Sequence, residues 1–190
     1  DLFFKSKSGK ERVYHRGVLR KMTEQVRKEA GDYPVYFTEW NTSAMTNDQQ
    51  HDEPYAAAMV AKTLVDNDGL VEGYSFWTFS DIFEEHGQLA GAYHGGFGLQ
   101  TYAGVAKPTY RAFQLFHKLG DRRLGLSCSQ ENTTVEMIAT KTDFGYACVV
   151  YNHEIIDEPI REESVRLHLE GLGKIRSVTV KRVDDTHANA

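Results

Sequence analysis

A glutamate follows the first apolar segment whose pattern predicts a buried strand. Residues 33–38 are Tyr-Pro-Val-Tyr-Phe-Thr, and Glu39 comes directly after them. A short apolar run of this kind is typical of a parallel strand buried on both faces. In βα barrels, catalytic groups lie at the carboxyl ends of the strands. A carboxylate held there can attack the anomeric carbon of a glycoside and later leave as an ester. The alternative is a structural ion pair with a basic neighbour.

A second aromatic segment runs into carboxylates in the same way. Residues 73–79 predict another buried strand, and Glu84 and Glu85 follow it after a short turn. Parallel strands end at the same edge of a sheet, so both acidic ends are expected on one rim. Adjacent side chains face different ways, so each glutamate can hold one or two hydroxyl groups of a ligand. The alternative interpretation is an acidic turn on the protein surface.

A glycine-rich segment at 93–99 lies in a long connection from residue 80 to 107, and loops of that length tend to be functional. Its glycines let the backbone approach a ligand closely. The spacing fits neither a dinucleotide fingerprint nor a phosphate loop, and the chain has no Gly-x-Ser-x-Gly elbow. His86 and His94 with Glu85 match no zinc-ligand spacing. We therefore expect neither a metal nor a cofactor.

The elements around these segments alternate between helix and strand. Helices are predicted at 14–30, 54–65 and 108–119, because apolar residues recur there at helical spacing or follow a starting proline. Gly31 stands where a helix C-cap belongs, and Asp52 is placed to cap the second helix. With the two strands between them, the helices give the rhythm of an α/β protein.

The pattern changes after residue 120. Closely spaced strands separated by turns predict an all-β module there. The chain therefore divides into a mixed unit over 1–120 and an all-β unit over 121–190. The predicted strands of the second unit lie at 133–140, 144–152, 164–169 and 175–183.

The amino-acid composition limits the classes of binding partner that we expect for this chain. Hydrophobic residues make up 41% and charged residues 26%, which is the balance of a globular protein. The net charge of -5 leaves no basic patch for nucleic acid. No apolar run approaches the roughly 18 to 20 residues of a membrane helix. Cys128 and Cys148 lie in neighbouring strand-like segments, so a disulfide and two reduced thiols are both open, as is the compartment.

Three ordered segments resemble family 39 of the glycoside hydrolases, the β-xylosidases and their relatives the α-L-iduronidases. Thr-Glu-Trp-Asn at 38–41 is similar to that family's nucleophile segment. Residues 77–85 resemble its last barrel strand and the substrate-holding loop beyond it. Residues 94–99 and 107–110 resemble the sequence that leads into the last barrel helix. The Phe-Glu-Glu turn at 83–85 favours the xylosidase branch.

The resemblance implies a retaining glycosidase that acts by double displacement on xylosides or xylo-oligosaccharides. It implies that residues 1–120 are the C-terminal part of a (β/α)8 TIM barrel, with its last two strands and helices. Residues 121–190 would be a β-sandwich accessory domain, incomplete at its end. Glu39 would be the nucleophile, Trp77 would wall the sugar site, and Asn41 would chiefly support the strand end. The remaining sugar-site residues would be Glu84, Glu85 and His94.

One departure from the family pattern concerns the acid/base glutamate, which precedes the nucleophile in an Asn-Glu-Pro motif. This sequence has no Asn-Glu-Pro, and its two Asp-Glu-Pro segments, at 52–54 and 157–159, both follow Glu39. We expect that the chain lacks the first six barrel strands and the acid/base residue. General acid assistance is worth about 10² to 10⁴-fold in rate, so the chain alone should be nearly inactive.

Alternative functions stay open from the sequence. The chain can be a non-catalytic carbohydrate-binding or structural β-sandwich module, an interpretation that the missing acid supports. It can also be an α-L-iduronidase-like glycosidase. A third alternative is a piece that completes a barrel with another chain or with the missing N-terminal segment, and a homo-oligomer is compatible with it.

Overall fold

We describe a computed structural model of the chain, over residues 16–83, 87, 91–130, 133–156, 158–173 and 175–188. Within these ranges the chain is a mixed structure of helices and strands. The α-helices are α1 (Val18–Ala30), α2 (Pro54–Asn67) and α3 (Pro108–Phe116), and a 3-10 helix spans Gln49–Asp52. The strands are β1 (Tyr36–Phe37), β2 (Gly73–Tyr74), β3 (Arg122–Arg123), β4 (Val135–Thr142) and β5 (Gly145–Asn152).

Helix α1 confirms the predicted stop and buries part of the predicted apolar face, at Val18. It ends at Ala30, and the cap residue Gly31 has a φ of 58°, a positive value that glycine adopts readily. Met22 and Val26 from the expected apolar face are 40% and 37% exposed. Thr23 is buried instead, and its hydroxyl donates to the Leu19 carbonyl oxygen at 2.8 Å. The bond satisfies the hydroxyl inside the protein, so a polar residue is tolerated there.

Helix α2 is the centre of the core. Pro54 opens it, as expected, because the first helical position needs no backbone N–H. The prediction that Asp52 caps it is wrong, since the cap position is Glu53 and Asp52 ends the preceding 3-10 helix. The small side chains of α2 allow close packing. The buried core cluster consists of Trp40, Ala57, Val60 and Ala112, with Leu19, Leu64, Tyr74, Phe76, Phe113 and Val183 packed against it.

Strands β1 and β2 pair in parallel, which confirms the expected adjacency. Tyr36 lies opposite Gly73, and Phe37 lies opposite Tyr74. The regular strands are shorter than predicted, but hydrogen bonding continues beyond them. The Trp77 N–H donates to the Trp40 carbonyl oxygen at 2.9 Å. The two segments therefore stay side by side past Glu39.

Strands β3, β4 and β5 form an antiparallel sheet, in that order. The β4–β5 hairpin confirms two of the predicted strands. The predicted strands at 164–169 and 175–183 are wrong, because the described residues there belong to no helix or strand. Apolar alternation predicts a strand only where a partner edge supplies its hydrogen bonds. Instead, nearly all residues of these segments are exposed, and among them are the apolar side chains Val165, Leu167, Leu169, Val178 and Val180.

Ion pairs join the helices to the antiparallel sheet. Lys62 on α2 pairs with Glu136 on β4 at 3.1 Å. Arg16 pairs with the same glutamate at 3.0 Å and donates to the His153 carbonyl oxygen at 2.8 Å. We call Arg16, Lys62, Glu136 and His153 the helix–sheet cluster. Every helix in the described part of the chain is too short or too polar to cross a membrane.

Candidate active site

Glu39 lies on a backbone that is fixed on both sides. Phe37 before it and Trp40 after it accept hydrogen bonds from the neighbouring segment, from Ser75 and Trp77, each at 2.9 Å. The buried Trp40 ring stacks on Tyr74, with ring centroids 4.9 Å apart. The Glu39 side chain itself is exposed. The result is an accessible carboxylate on a rigid support, which is what a nucleophile requires.

Asn41 ties the strand end to two other segments. Its Nδ2 donates to the carbonyl oxygens of Trp77 and Phe97, the latter at 3.1 Å. Its Oδ1 accepts from the Thr42 N–H at 2.7 Å. All of these contacts are internal to the protein. They are consistent with the predicted role of Asn41 as a support for the strand end.

Trp77 lies beside the candidate nucleophile. Its N–H bonds to Trp40, the residue after Glu39. Its peptide bond to Thr78 is cis. The half-buried ring meets Phe83 edge-on, with centroids 5.4 Å apart. The Trp77 backbone therefore lies next to the segment that carries Glu39, and the role of its ring as a wall of the sugar site stays a prediction.

His94 is buried behind the glycine-rich segment. Its Nδ1 lies 2.9 Å from the Gly91 carbonyl oxygen. A carbonyl oxygen can only accept, so Nδ1 donates this hydrogen bond. The other ring nitrogen, Nε2, lies close to Gly96, where an added Cβ would come within 2.5 Å of it. A direct contact of His94 with sugar stays a prediction.

Glu84 and Glu85, together with His86, lie outside the described residues. Their expected place on the rim beside Glu39 therefore stays a prediction. Phe83, which precedes them, is the last described residue before this gap and packs on Trp77.

A buried ion cluster was not predicted from the sequence. Lys107 is 0% exposed, and its Nζ lies 2.5 Å from Asp52 Oδ1 and 2.6 Å from Asp81 Oδ2. It also donates to the Gly96 carbonyl oxygen at 3.0 Å. We call Lys107, Asp52 and Asp81 the loop clamp. No local pattern could have revealed it, because its members are far apart in sequence and charged residues are usually exposed.

The loop clamp holds the glycine-rich segment by its backbone. Asp52 Oδ2 accepts from the Gly95 N–H, and Asp81 Oδ1 accepts from the Gly98 N–H, both at 2.7 Å. Gly95 has a φ of 73°, and a Cβ there would meet the Asp48 backbone at 2.4 Å. Only glycine permits that approach. The segment is therefore shaped by the clamp beneath it.

Ser43, His51 and Asp48 also lie together, but not as a hydrolytic triad. Ser43 Oγ donates to Asp48 Oδ2 at 2.6 Å and lies 3.1 Å from His51 Nε2. His51 Nδ1 faces the Gly95 carbonyl oxygen at 2.8 Å, where a triad would have a carboxylate. Burial lowers the pKa of His51 and outweighs the opposing effect of that carbonyl. This group supports the loop from the other side.

The described residues were also compared with the requirements of a binding cleft, a metal site and a disulfide. A small cleft runs between α1, α2 and the segment after β5, lined in part by Arg16, Lys62 and His153. Three members of the helix–sheet cluster therefore line it, and Glu39 is not among its lining residues. In the described residues, no group of three or more His, Cys, Asp or Glu side chains is arranged to hold a metal. Cys128 and Cys148 are both free and exposed.

Comparison with known proteins decides the family. Residues 6–190 match the protein family described as "Glycosyl hydrolases family 39". The chain belongs to glycosyl hydrolase family 39. This family 39 chain is 40% identical, over 193 residues, to a protein named beta-xylosidase from Caldicellulosiruptor saccharolyticus. The match covers 100% of this chain and 40% of that relative, so the chain spans less than half the relative's length.

Solved structures of similar proteins agree with the assignment. A monomeric beta-xylosidase from Caulobacter crescentus CB15 matches with a TM-score of 0.56 and 35% identity, over 66% of this chain and 24% of that one. The family 39 enzyme from Xanthomonas axonopodis pv. citri matches with a TM-score of 0.64 and 30% identity, over 78% of this chain and 30% of that one. The mixed helix and strand content is therefore that of a part of a family 39 fold.

Proposed function

We propose that this chain carries the nucleophile of a retaining β-xylosidase and that the nucleophile is Glu39. The observation that carries the proposal is the exposed Glu39 carboxylate at the end of β1, on a backbone fixed by Ser75 and Trp77. The relatives named beta-xylosidase support a xyloside or xylo-oligosaccharide as the substrate. Trp77 would form a wall of the sugar site, and Glu84 and Glu85 would hold sugar hydroxyls.

The reaction takes two displacements. In the first, a Glu39 carboxylate oxygen forms a bond to the anomeric carbon as the bond to the leaving oxygen breaks, and a second carboxylic acid gives that oxygen a proton. In the second, water attacks the glycosyl ester, loses a proton to the same second group, and releases Glu39. Retention of configuration requires the two carboxyl groups to lie about 5 to 5.5 Å apart.

We propose that the second carboxylic acid belongs to a part of the protein outside this chain, because the sequence has no Asn-Glu-Pro motif. In this proposal, residues 1–120 are the C-terminal part of a (β/α)8 barrel and 121–190 are a β-sandwich domain. The parallel β1–β2 pair and the helices between and after its strands support the barrel. Tyr36 and Phe79 are each 64% exposed, and such large aromatic surfaces are typical of an interface with further structure.

Substitution of Glu39 tests this function in a full-length protein that contains the chain. An aryl xyloside has a good leaving group and needs little acid assistance in the first step, but it still needs the nucleophile. Glu39→Ala should therefore abolish its turnover. Added azide should restore turnover by attacking from the vacated face, and the product should be the glycosyl azide of inverted configuration, identified by NMR.

Glu72→Ala is the matched control. Glu72 lies at the opposite end of the strand pair, where its Oε2 accepts from the Val35 N–H at 2.6 Å. Its loss should lower stability and leave the rate per folded molecule unchanged. Substantial activity in Glu39→Ala without azide would contradict the assignment.

A further inference from the structure

The lysine of the loop clamp is enclosed by three oxygens. Lys107 Nζ donates a hydrogen bond to the Gly96 carbonyl oxygen and forms ion pairs with Asp52 and Asp81. The side chains of Lys107 and Asp81 are both 0% exposed. Such an arrangement has little freedom to shift, because any movement would leave a buried charge without a partner.

Stability alone does not account for this cluster. Burying charges costs free energy, and apolar side chains of similar volume often stabilise a protein as well or better. A buried ion cluster does fix geometry, since each partner is held at a defined distance and direction. The question is therefore which geometry the loop clamp fixes.

The loop clamp fixes the backbone on both sides of Phe97. It holds the Gly95 N–H, the Gly96 carbonyl and the Gly98 N–H. The Phe97 carbonyl oxygen between them accepts from Asn41 Nδ2 at 3.1 Å and from the Thr78 N–H at 2.9 Å. Asn41 lies two residues after Glu39, and Thr78 follows Trp77 directly.

We propose that Lys107 is a positioning residue for Glu39, acting through residues 95–98 and Asn41. The inference rests on the proposed nucleophilic role of Glu39. It adds that the angle at which the carboxylate meets the anomeric carbon is set by a lysine that never touches the sugar. Misplacement by about 1 Å can cost on the order of 10²-fold in rate. Loss of Lys107 should therefore slow the first chemical step.

The experiment measures covalent labelling of the full-length protein by an activated 2-deoxy-2-fluoro xyloside. The number of labelled molecules counts the folded sites, and the labelling rate constant reports on nucleophile geometry in those sites. Lys107→Met should slow labelling by about 10- to 100-fold. A merely structural role would lower the labelled fraction and leave the rate constant unchanged, and that result would overturn the proposal.

Lys62→Met is the matched control, because Lys62 is also a buried lysine that lies between two carboxylates, Asp66 and Glu136. It should label at the wild-type rate. If Lys107→Met does not fold, Asp81→Asn decides the matter, because it keeps the side-chain shape and the Asp52 pair. That variant should label several-fold more slowly, and an unchanged rate would overturn the proposal.

A double substitution tests the route through Asn41. If Lys107 acts through Asn41, the Lys107→Met/Asn41→Ala protein should label hardly more slowly than the slower single variant. Multiplicative losses would show that the two residues act independently and would overturn the route. A wild-type protein that takes no label on Glu39 would instead refute the nucleophile itself, so the two failures are distinguishable.

Discussion

Two buried lysines in this chain use the same chemistry in different places. Lys107 is 0% exposed and lies between Asp52 and Asp81, and Lys62 is 8% exposed and lies between Asp66 and Glu136. The first holds the glycine-rich segment next to the candidate nucleophile. The second holds α2 against the antiparallel sheet.

The difference between them lies in what each supports. Glu136 keeps Arg16 as a partner if Lys62 is lost, and its own side chain is 33% exposed. Burial opposes ionisation of Glu136, but Lys62 and Arg16 outweigh it and hold its pKa below the usual value. The helix–sheet cluster therefore tolerates the loss of one charge. In the loop clamp, the Asp81 side chain that pairs with Lys107 is fully buried. The loop clamp is therefore less tolerant of the loss of one charge.

Stability measurements sharpen this contrast, and Lys107→Met should give the largest change. Removing one partner of a buried pair leaves unpaired charge and costs about 3 to 5 kcal/mol. Lys62→Met should lower the free energy of unfolding clearly less, because Arg16 still pairs with Glu136. Urea unfolding of the two variants measures the difference. Equal losses would contradict the view that the two clusters differ in redundancy.

Acid should weaken the helix–sheet cluster through His153. Burial first, then Arg16 and Lys62, lowers the pKa of His153 from 6.5 to about 4. The unfolded chain therefore binds a proton at a pH where the folded protein excludes it. The stabilising contribution is present above pH 6.5 and is lost as the pH falls to about 4. It amounts to roughly 3 to 3.5 kcal/mol, because the shift is about 2.5 pKa units and each unit is worth about 1.4 kcal/mol.

Unfolding of wild type and His153→Gln between pH 7 and pH 4 measures this effect. The variant should lose less stability on acidification. His51 has a pKa lowered mainly by burial and adds to the loss in the same direction, so the variant should keep part of the slope. An unchanged slope in His153→Gln would show that His153 is not the group responsible.

Gly96→Ala alters the glycine-rich segment that the loop clamp holds, and it should lower the free energy of unfolding by a smaller amount. An added Cβ would come within 2.5 Å of Asp81 Oδ1 and His94 Nε2. Forcing atoms into a packed site costs about 1 to 3 kcal/mol. Gly125→Ala is the control, because a Cβ there has nothing within 4 Å. Equal unfolding midpoints for the two variants would show that the loop can yield without disturbing the clamp.

The sequence predicted the parts of the fold that local patterns determine. The starts of α2 and α3 follow from Pro54 and Pro108, and the parallel pairing of β1 with β2 follows from two apolar runs joined by a helix. The predicted strands at 164–169 and 175–183 were wrong, because apolar alternation says nothing of whether a partner edge is present.

The candidate site also combines residues that local sequence patterns place correctly with residues that they do not. The segments that carry Glu39, Asn41 and Trp77 lie side by side, because each of these residues lies at or beside the end of a predicted strand. Asp52 was expected to cap a helix, and its role in the loop clamp depends on Lys107, which is 55 residues further along the sequence (107 − 52). Contacts over such distances arise only from the tertiary fold.

The most direct test of the central claim is to locate the covalent label in the full-length protein. A 2-deoxy-2-fluoro xyloside with an activated leaving group traps the glycosyl-enzyme, because the fluorine slows its hydrolysis. Digestion and tandem mass spectrometry then identify the modified residue. We expect one sugar per molecule, attached to Glu39. A label on another carboxylate, or a fully active enzyme that takes up no label, would contradict the account.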